Sequence, residues 1–202
     1  MNTPSSLLAC FRALPTFALL LVLACLPRLQ AQADAVPALL DDFSDPKNTP
    51  SGIARIVVDD AAVGGSSHLT HTTSDGVLVV NGGIKPARGQ PGWAGLVLLL
   101  SSDGTAVDLS GFQGIRLRVH VRQGSLSISA NSTEVDNFDY HARLLPRSHT
   151  GPQEVHIPFA DMKRMWSEPT PLRPETIASI SLAAVGMQSG DFGFDLDEIG
   201  FY

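Results

Sequence analysis

Cysteine is nearly absent from this sequence: Cys10 and Cys25 are the two in 202 residues. A domain lying beyond them has no disulfide, no thiol nucleophile and no thiolate metal site. For a small secreted protein that pattern fits a bacterial envelope better than a eukaryotic exterior. Aromatic side chains are scarce too. Two Trp and two Tyr are thin material for a broad sugar-stacking platform. Fourteen basic residues stand against twenty acidic ones, for a net charge of −6. An acidic surface argues against nucleic acid or an anionic membrane as partner. No run is long enough for an integral membrane span. The longest, "LPTFALLLVLACL" (Leu14–Leu26), falls short of the roughly 20 residues that a spanning helix needs.

That run is instead expected to be a secretory signal. Arg12 precedes it, the first acid is Asp34, and "AQA" at Ala31–Ala33 offers small residues for a signal peptidase. A mitochondrial presequence should be amphipathic, and "LLLVLACL" is apolar all round. Lipoprotein processing at Cys25 would place Leu23 poorly. Cleavage after Ala33 would leave Asp34–Tyr202, a single domain in the periplasm or outside the cell.

The dominant pattern beyond Asp34 has period two. In "GIRLRVHVR", Ile115, Leu117, Val119 and Val121 alternate with Arg116, Arg118, His120 and Arg122, predicting a strand with one core face and one wet face. "SLSIS" repeats the alternation, and Gly124 between the two segments predicts a hairpin. "EVHIPF" and "ASISLAAV" alternate as well. "GVLVV" (76–80) and "GLVLLL" (95–100) are continuous apolar runs, expected to be strands covered on both faces. "DFGFDLDEIGFY" alternates and then slips by one residue at Asp197–Glu198, the mark of a β-bulge. Helix is limited to a turn or two in "PFADMKRMW" and "RPETIAS". Eighteen glycines and fourteen prolines punctuate eight to ten short strands, so the expected fold is an all-β jelly-roll sandwich. The segments "LLDDF" and "FDLDEIGFY" are expected to pair and tie down the two termini.

"DDAAVGGSS" (59–67) is the segment with most claim to chemistry. A phosphate loop needs a lysine after its glycines and a helix behind them, and neither is present. A nucleophile elbow needs Gly-x-Ser-x-Gly, and a dinucleotide fingerprint three spaced glycines in a βαβ unit. Neither occurs. Gly64 and Gly65 therefore read as a turn or a close approach between strands. His68 and His71 fall on opposite faces of a strand, and His120 and His156 on separate strands, so no zinc cluster is expected. Asp41, Asp42 and Asp45 could meet Asp195, Asp197 and Glu198 around Ca²⁺ if the terminal strands pair. The plainer reading is solvated acids guarding an edge. No cofactor motif and no catalytic constellation is present. The binding candidates are Trp93, Gly64, Gly65 and the stripe Arg116, Arg118 and Arg122 with His120. The stripe reads either as an interaction face or as a solvated face balanced by neighbouring acids. Asn131-Ser132-Thr133 forms a glycosylation sequon.

"DDAAVGGSS" resembles the Asp-x-Val-Met-Gly-Gly-x-Ser signature of the CIA30 family, named for complex I intermediate-associated protein 30. "DDFSD", "GWAGLVLLL", "DLSGFQGIRLRVH", "EVHIPFADM" and "GDFGFDLDEIGFY" resemble further family segments in the same order, over about Leu40 to Tyr202. Ala62 and Val63 replace the valine and methionine of the signature. The resemblance implies a galactose-binding-like β-sandwich without enzyme activity that recognises a protein partner or aids complex assembly. The alternative is an extracellular carbohydrate-binding module that takes a glycan.

Overall fold

The computed structural model describes Val36–Tyr202. The expected signal segment, residues 1–33, lies outside the described residues. Eleven strands follow in order: β1 (Leu39–Asp41), β2 (Ile56–Asp59), β3 (His68–Ser74), β4 (Val77–Ile84), β5 (Gly92–Leu99), β6 (Gly114–Gln123), β7 (Leu126–Ser132), β8 (His141–Leu144), β9 (Gln153–Pro158), β10 (Ile177–Gly186) and β11 (Gly190–Phe201). Single 3-10 turns occur at Asp60–Val63, Phe159–Asp161 and Pro174–Thr176. The last two are where the sequence allowed a short helix. All strand pairs are antiparallel.

The strands form two sheets. A six-stranded sheet runs β3-β4-β11-β6-β9, with β1 also on β11, and a five-stranded sheet runs β2-β5-β10-β7-β8. The inward residues of each alternating strand meet between them. Leu78, Val80, Ile115, Leu117, Val119, Phe194 and Leu196 from one sheet pack with Leu96, Leu98, Ile128, Ile180 and Leu182 from the other in a continuous core. Period-two hydrophobicity is thus converted directly into a two-layer sandwich.

The termini pair as expected: Leu39 lies opposite Gly200 and Asp41 opposite Ile199. The bulge is also present, because the β6–β11 register shifts between Leu196 and Glu198. Two expectations are corrected. Gly124 does not close a hairpin. It adopts φ +75°, and the chain there leaves one sheet for the other, since β6 pairs with β11 and β9 while β7 pairs with β10 and β8. Both strands alternate because each has a core face, which periodicity alone cannot distinguish from pairing. Nor are β4 and β5 covered on both sides. Leu78, Val80, Leu96 and Leu98 are buried, while Val77, Val79, Val97 and Leu99 are half-buried. An antiparallel sandwich covers one face of each sheet and leaves the other outside.

Candidate functional site

Asp59-Asp60 and the paired glycines of the opening segment build one latch. Asp59 caps the 3-10 turn by accepting from the Ala61 N–H. Gly64 ends it in the left-handed region at φ 84°, where a side chain would be strained. The Asp60 carboxylate turns inward and is fully buried. It accepts from the Ser67 N–H at 2.9 Å, the Ser67 hydroxyl at 2.7 Å and the Trp93 N–H at 3.2 Å. A Cβ on Gly65 would fall inside that carboxylate, so glycine is required there by contact and not by φ. Burial opposes ionisation of Asp60. The Ser67 hydroxyl and the Ser67 and Trp93 N–H groups outweigh it, and the carboxyl titrates below the usual aspartate range. The glycines that the sequence singled out are therefore parts of a latch whose working groups, Asp60 and Ser67, it did not single out. The signal was the fixed spacing of Asp, paired Gly and Ser.

The latch holds Trp93, the first outward side chain of β5. Trp93 is half-buried and does not belong to the core. It lies opposite Val185 on β10, so the structure joins three candidates, Gly64, Gly65 and Trp93, at one end of the five-stranded sheet.

The arginine stripe lies on the other sheet. Ile115, Leu117, Val119 and Val121 are buried, so Arg116, Arg118, His120 and Arg122 point outward, as the alternation predicts. Each faces an acid on β11: Arg116 pairs with Glu198, Arg118 with Asp197 at 3.2 Å, and His120 and Arg122 with Asp195 at 3.4 and 2.9 Å. Arg122 also donates to the Val80 carbonyl and the Asn81 side chain. A shallow pocket of about 140 Å³ between these groups is lined by Arg116, Leu117, Arg118, Glu154, Asp197 and Glu198, so its two guanidinium groups are outnumbered by three carboxylates. This is the arrangement in which neighbouring acids answer the arginines.

The acids near the two termini are engaged within the fold. Asp195, Asp197 and Glu198 are engaged with β6. Asp41 is buried against Arg55, whose Nε and Nη2 donate to its two oxygens at 2.6 and 2.8 Å. Asp42 and Asp45 accept from their own loop. Among the described residues no group of His, Cys, Asp or Glu is placed to hold a metal ion. His68 is exposed and His71 half-buried, on opposite faces.

A second buried carboxylate escaped the sequence reading. Asp139, between β7 and β8, accepts from the Met165, Trp166 and Ser167 N–H groups at 2.8, 3.1 and 2.7 Å. Burial raises its pKa, these donors lower it further, and the balance is a depressed value. Asn137 and Arg164 add side-chain bonds across the same two loops. The result is a fixed corner that presents Phe138, Met165 and Trp166, which are 79, 67 and 71 % exposed. Phe138 is held at φ 60°, a strained value that surrounding contacts must impose. The sequon asparagine is not a surface acceptor: Asn131 is buried and its Nδ2 donates to the Ser179 and Ser181 hydroxyls.

Two antiparallel sheets enclosing one core, with no helix longer than a single turn among the described residues, define a β-sandwich of the kind used by binding modules. Solved structures with this architecture include the family 11 carbohydrate-binding module of the cellulosomal cellulase Lic26A-Cel5E of Clostridium thermocellum. It matches with a TM-score of 0.55 and 19 % identity, over 80 % of this chain and 92 % of that one. The Clostridium thermocellum family 11 module in complex with a β-1,3-1,4-mixed-linked tetrasaccharide matches at TM-score 0.55 and 19 % identity, over 81 and 94 %. The agarase AgWH50C matches at 0.52 and 11 % identity, over 81 % of this chain and 26 % of the agarase. No curated protein matches. The family model for complex I intermediate-associated protein 30 (CIA30) matches residues 42–196. The chain belongs to the CIA30 family.

Proposed function

We propose that this CIA30 domain is an exported, non-catalytic binding module that recognises a protein partner through the corner fixed by Asp139. Family membership supports a binding or assembly role, and the observation that carries the reading is the corner itself. Three large apolar side chains stand in solvent on loops whose backbone is already locked. Trp, Phe and Met are the residue types that protein interfaces favour, and anchors of this kind contribute most of a typical interface's binding energy. A preformed loop also avoids the ordering cost that a mobile one would meet on association. Among the described residues no helix is long and apolar enough to cross a membrane. Export rests on residues 12–33, and intact-mass analysis of native protein should give a chain beginning at Asp34. A start at lipid-modified Cys25 would replace that processing with another.

The experiment is capture from an envelope extract, identification by mass spectrometry, and reconstitution with the purified partner. Trp166→Ala with Phe138→Ala should abolish binding of the purified partner and leave the melting temperature unchanged. Undiminished binding would reject the corner. The glycan alternative rests on a different surface, the outer face of the five-stranded sheet.

A further inference from the structure

The outward residues of the five-stranded sheet align in rows across the strands. Val97, Ser181, Ser129 and Ala142 make one row, and Gly95, Ala183, Ser127 and Leu144 the next. A third contains Leu99, Ser179 and Asn131. The centre of the face is thus small and mostly hydroxylic. Bulkier groups stand at its rim, with Trp93 beside the latch, Ile56 on one edge and Leu144 on the other. No outward position carries a charge. Asp59 and Arg143, the charged residues of these strands, align with the inward residues Ala94 and Ile128.

The hydroxyls of this bed are given directions. The Asn131 amide donates to both Ser179 and Ser181. Each hydroxyl that accepts there keeps its own proton free to donate. The Ser127 hydroxyl instead donates to the Ala183 carbonyl at 3.1 Å, which leaves its lone pairs free to accept. Asn131 itself is 8 % exposed and its Oδ1 lies out of solvent, so its part is to set the directions of the serine hydroxyls. Donors and acceptors therefore share a face with the half-buried Trp93.

We propose that the outer face of the five-stranded sheet, with Ser181, Ser129 and Ser127 in the middle and Trp93 at the end, binds a neutral glycan. Sugar hydroxyls both donate and accept, which matches the mixed polarity of the bed. The C–H face of a pyranose matches the flat side of Trp93. An apolar ligand would leave the serines desolvated and unpaired. An acidic one would find no cation among the outward residues of the five strands. Lys163, bridged to Ala142 beyond the β8 edge, donates its Nζ to the Ala160 carbonyl, and the arginines of the opposite sheet are already paired. This site is independent of the protein-binding corner.

The test is calorimetric titration of the Asp34–Tyr202 protein with cello-oligosaccharides, a mixed-linked β-glucan tetrasaccharide and agaro-oligosaccharides, with polygalacturonate as the acidic comparator. Saturable binding of at least one neutral probe is expected, with none to polygalacturonate. Trp93→Ala and Ser181→Glu should each weaken it about tenfold or more, a change of roughly 1.4 kcal/mol. Ser181→Ala, which keeps the fold and removes one donor, should weaken it severalfold and covers the case in which Ser181→Glu does not fold. Trp166→Ala should leave it unchanged, which separates failure at this face from failure at the corner. Absence of saturable binding to every neutral probe, preference for polygalacturonate, or undiminished binding by folded Trp93→Ala and Ser181→Ala proteins would each overturn the proposal.

Discussion

The outer faces of the two sheets handle charge in opposite ways. On the six-stranded sheet the charges are displayed: three arginines and a histidine of β6 stand beside three acids of β11, in solvent, each answering another. On the five-stranded sheet the surface is neutral and the charges are hidden beneath its ends. Asp60 lies under the Trp93 end and Asp139 under the β8 end, each gathering three hydrogen bonds from chain that would otherwise be loose. A displayed charge is hydrated whether or not its partner is present, so losing it changes little. A hidden carboxylate has no such substitute, so its removal strands its donors. The face rich in charge is therefore the more tolerant of substitution, and the plain face is the one built on fixed supports.

Asp41 gives the strongest test of this contrast. It is the hidden carboxylate at the six-stranded edge, fully buried and held two-pronged by Arg55, whose side chain is 2 % exposed. The guanidinium also lies 4.9 Å from the Phe43 ring centroid. Asp41→Ala leaves a buried cation without its partner, and chemical denaturation should show a loss of about 3–5 kcal/mol. A loss below about 1 kcal/mol would place this pair with the surface ladder and erase the distinction.

Gly65 comes next. Any side chain there displaces the Asp60 carboxylate from Ser67 and Trp93, so Gly65→Val should cost about 1–3 kcal/mol. Ser66→Ala, one residue on, should be near neutral, because Ser66 is exposed. Equal thermal shifts for the two variants would mean that the latch is not what constrains this segment.

These two cases also show what the sequence could and could not reveal. Most strand positions, the bulge at Asp197 and the terminal pairing were legible because each leaves a mark in residue order: alternation, a slipped alternation, complementary ends. The short strands β2 and β8 carried no such mark. The destination of a strand leaves none. The segments on either side of Gly124 look like the arms of a hairpin, yet each belongs to its own sheet. Candidate residues divide along the same line. Gly64, Gly65 and Trp93 stand out by type and are near one another in space. Asp60 and Asp139 do not stand out among twenty acids. What distinguishes them is the company they keep in three dimensions, namely N–H groups supplied by residues 7 to 33 positions away. The arginines stand out most of all and turn out to face their own counter-charges.

The hidden carboxylates should also set the acid limit of the fold. Asp60 and Asp139 titrate below the ordinary aspartate value in the folded chain. A depressed folded pKa contributes stability that is fully present above the unfolded value, about 3.9, and is lost as pH falls through the folded one. Melting temperature should therefore drop steeply below about pH 4. Asp60→Asn and Asp139→Asn should each start from a lower plateau at neutral pH and show a flatter acid limb. An acid limb identical to that of the unaltered protein in both variants would assign the acid sensitivity to other carboxylates.

The smallest effect is expected where the sequence is most conspicuous. Arg116 and Arg118 make partly exposed ion pairs with Glu198 and Asp197, with both guanidinium side chains more than a third exposed. Removing them with Arg116→Ala and Arg118→Ala leaves two acids that water can solvate. Stability should change by about 0–1 kcal/mol, and less at high salt, where the pairs are screened in the unaltered protein. The same double variant should bind the purified protein partner and the neutral oligosaccharide as the unaltered chain does, because both proposed surfaces belong to the other sheet and its loops. If partner binding instead falls and its salt dependence flattens at an unchanged melting temperature, the arginines reach past Glu198 and Asp197 to an acidic partner. The displayed charges would then be the recognition surface, and the neutral face would be only the outside of a sheet.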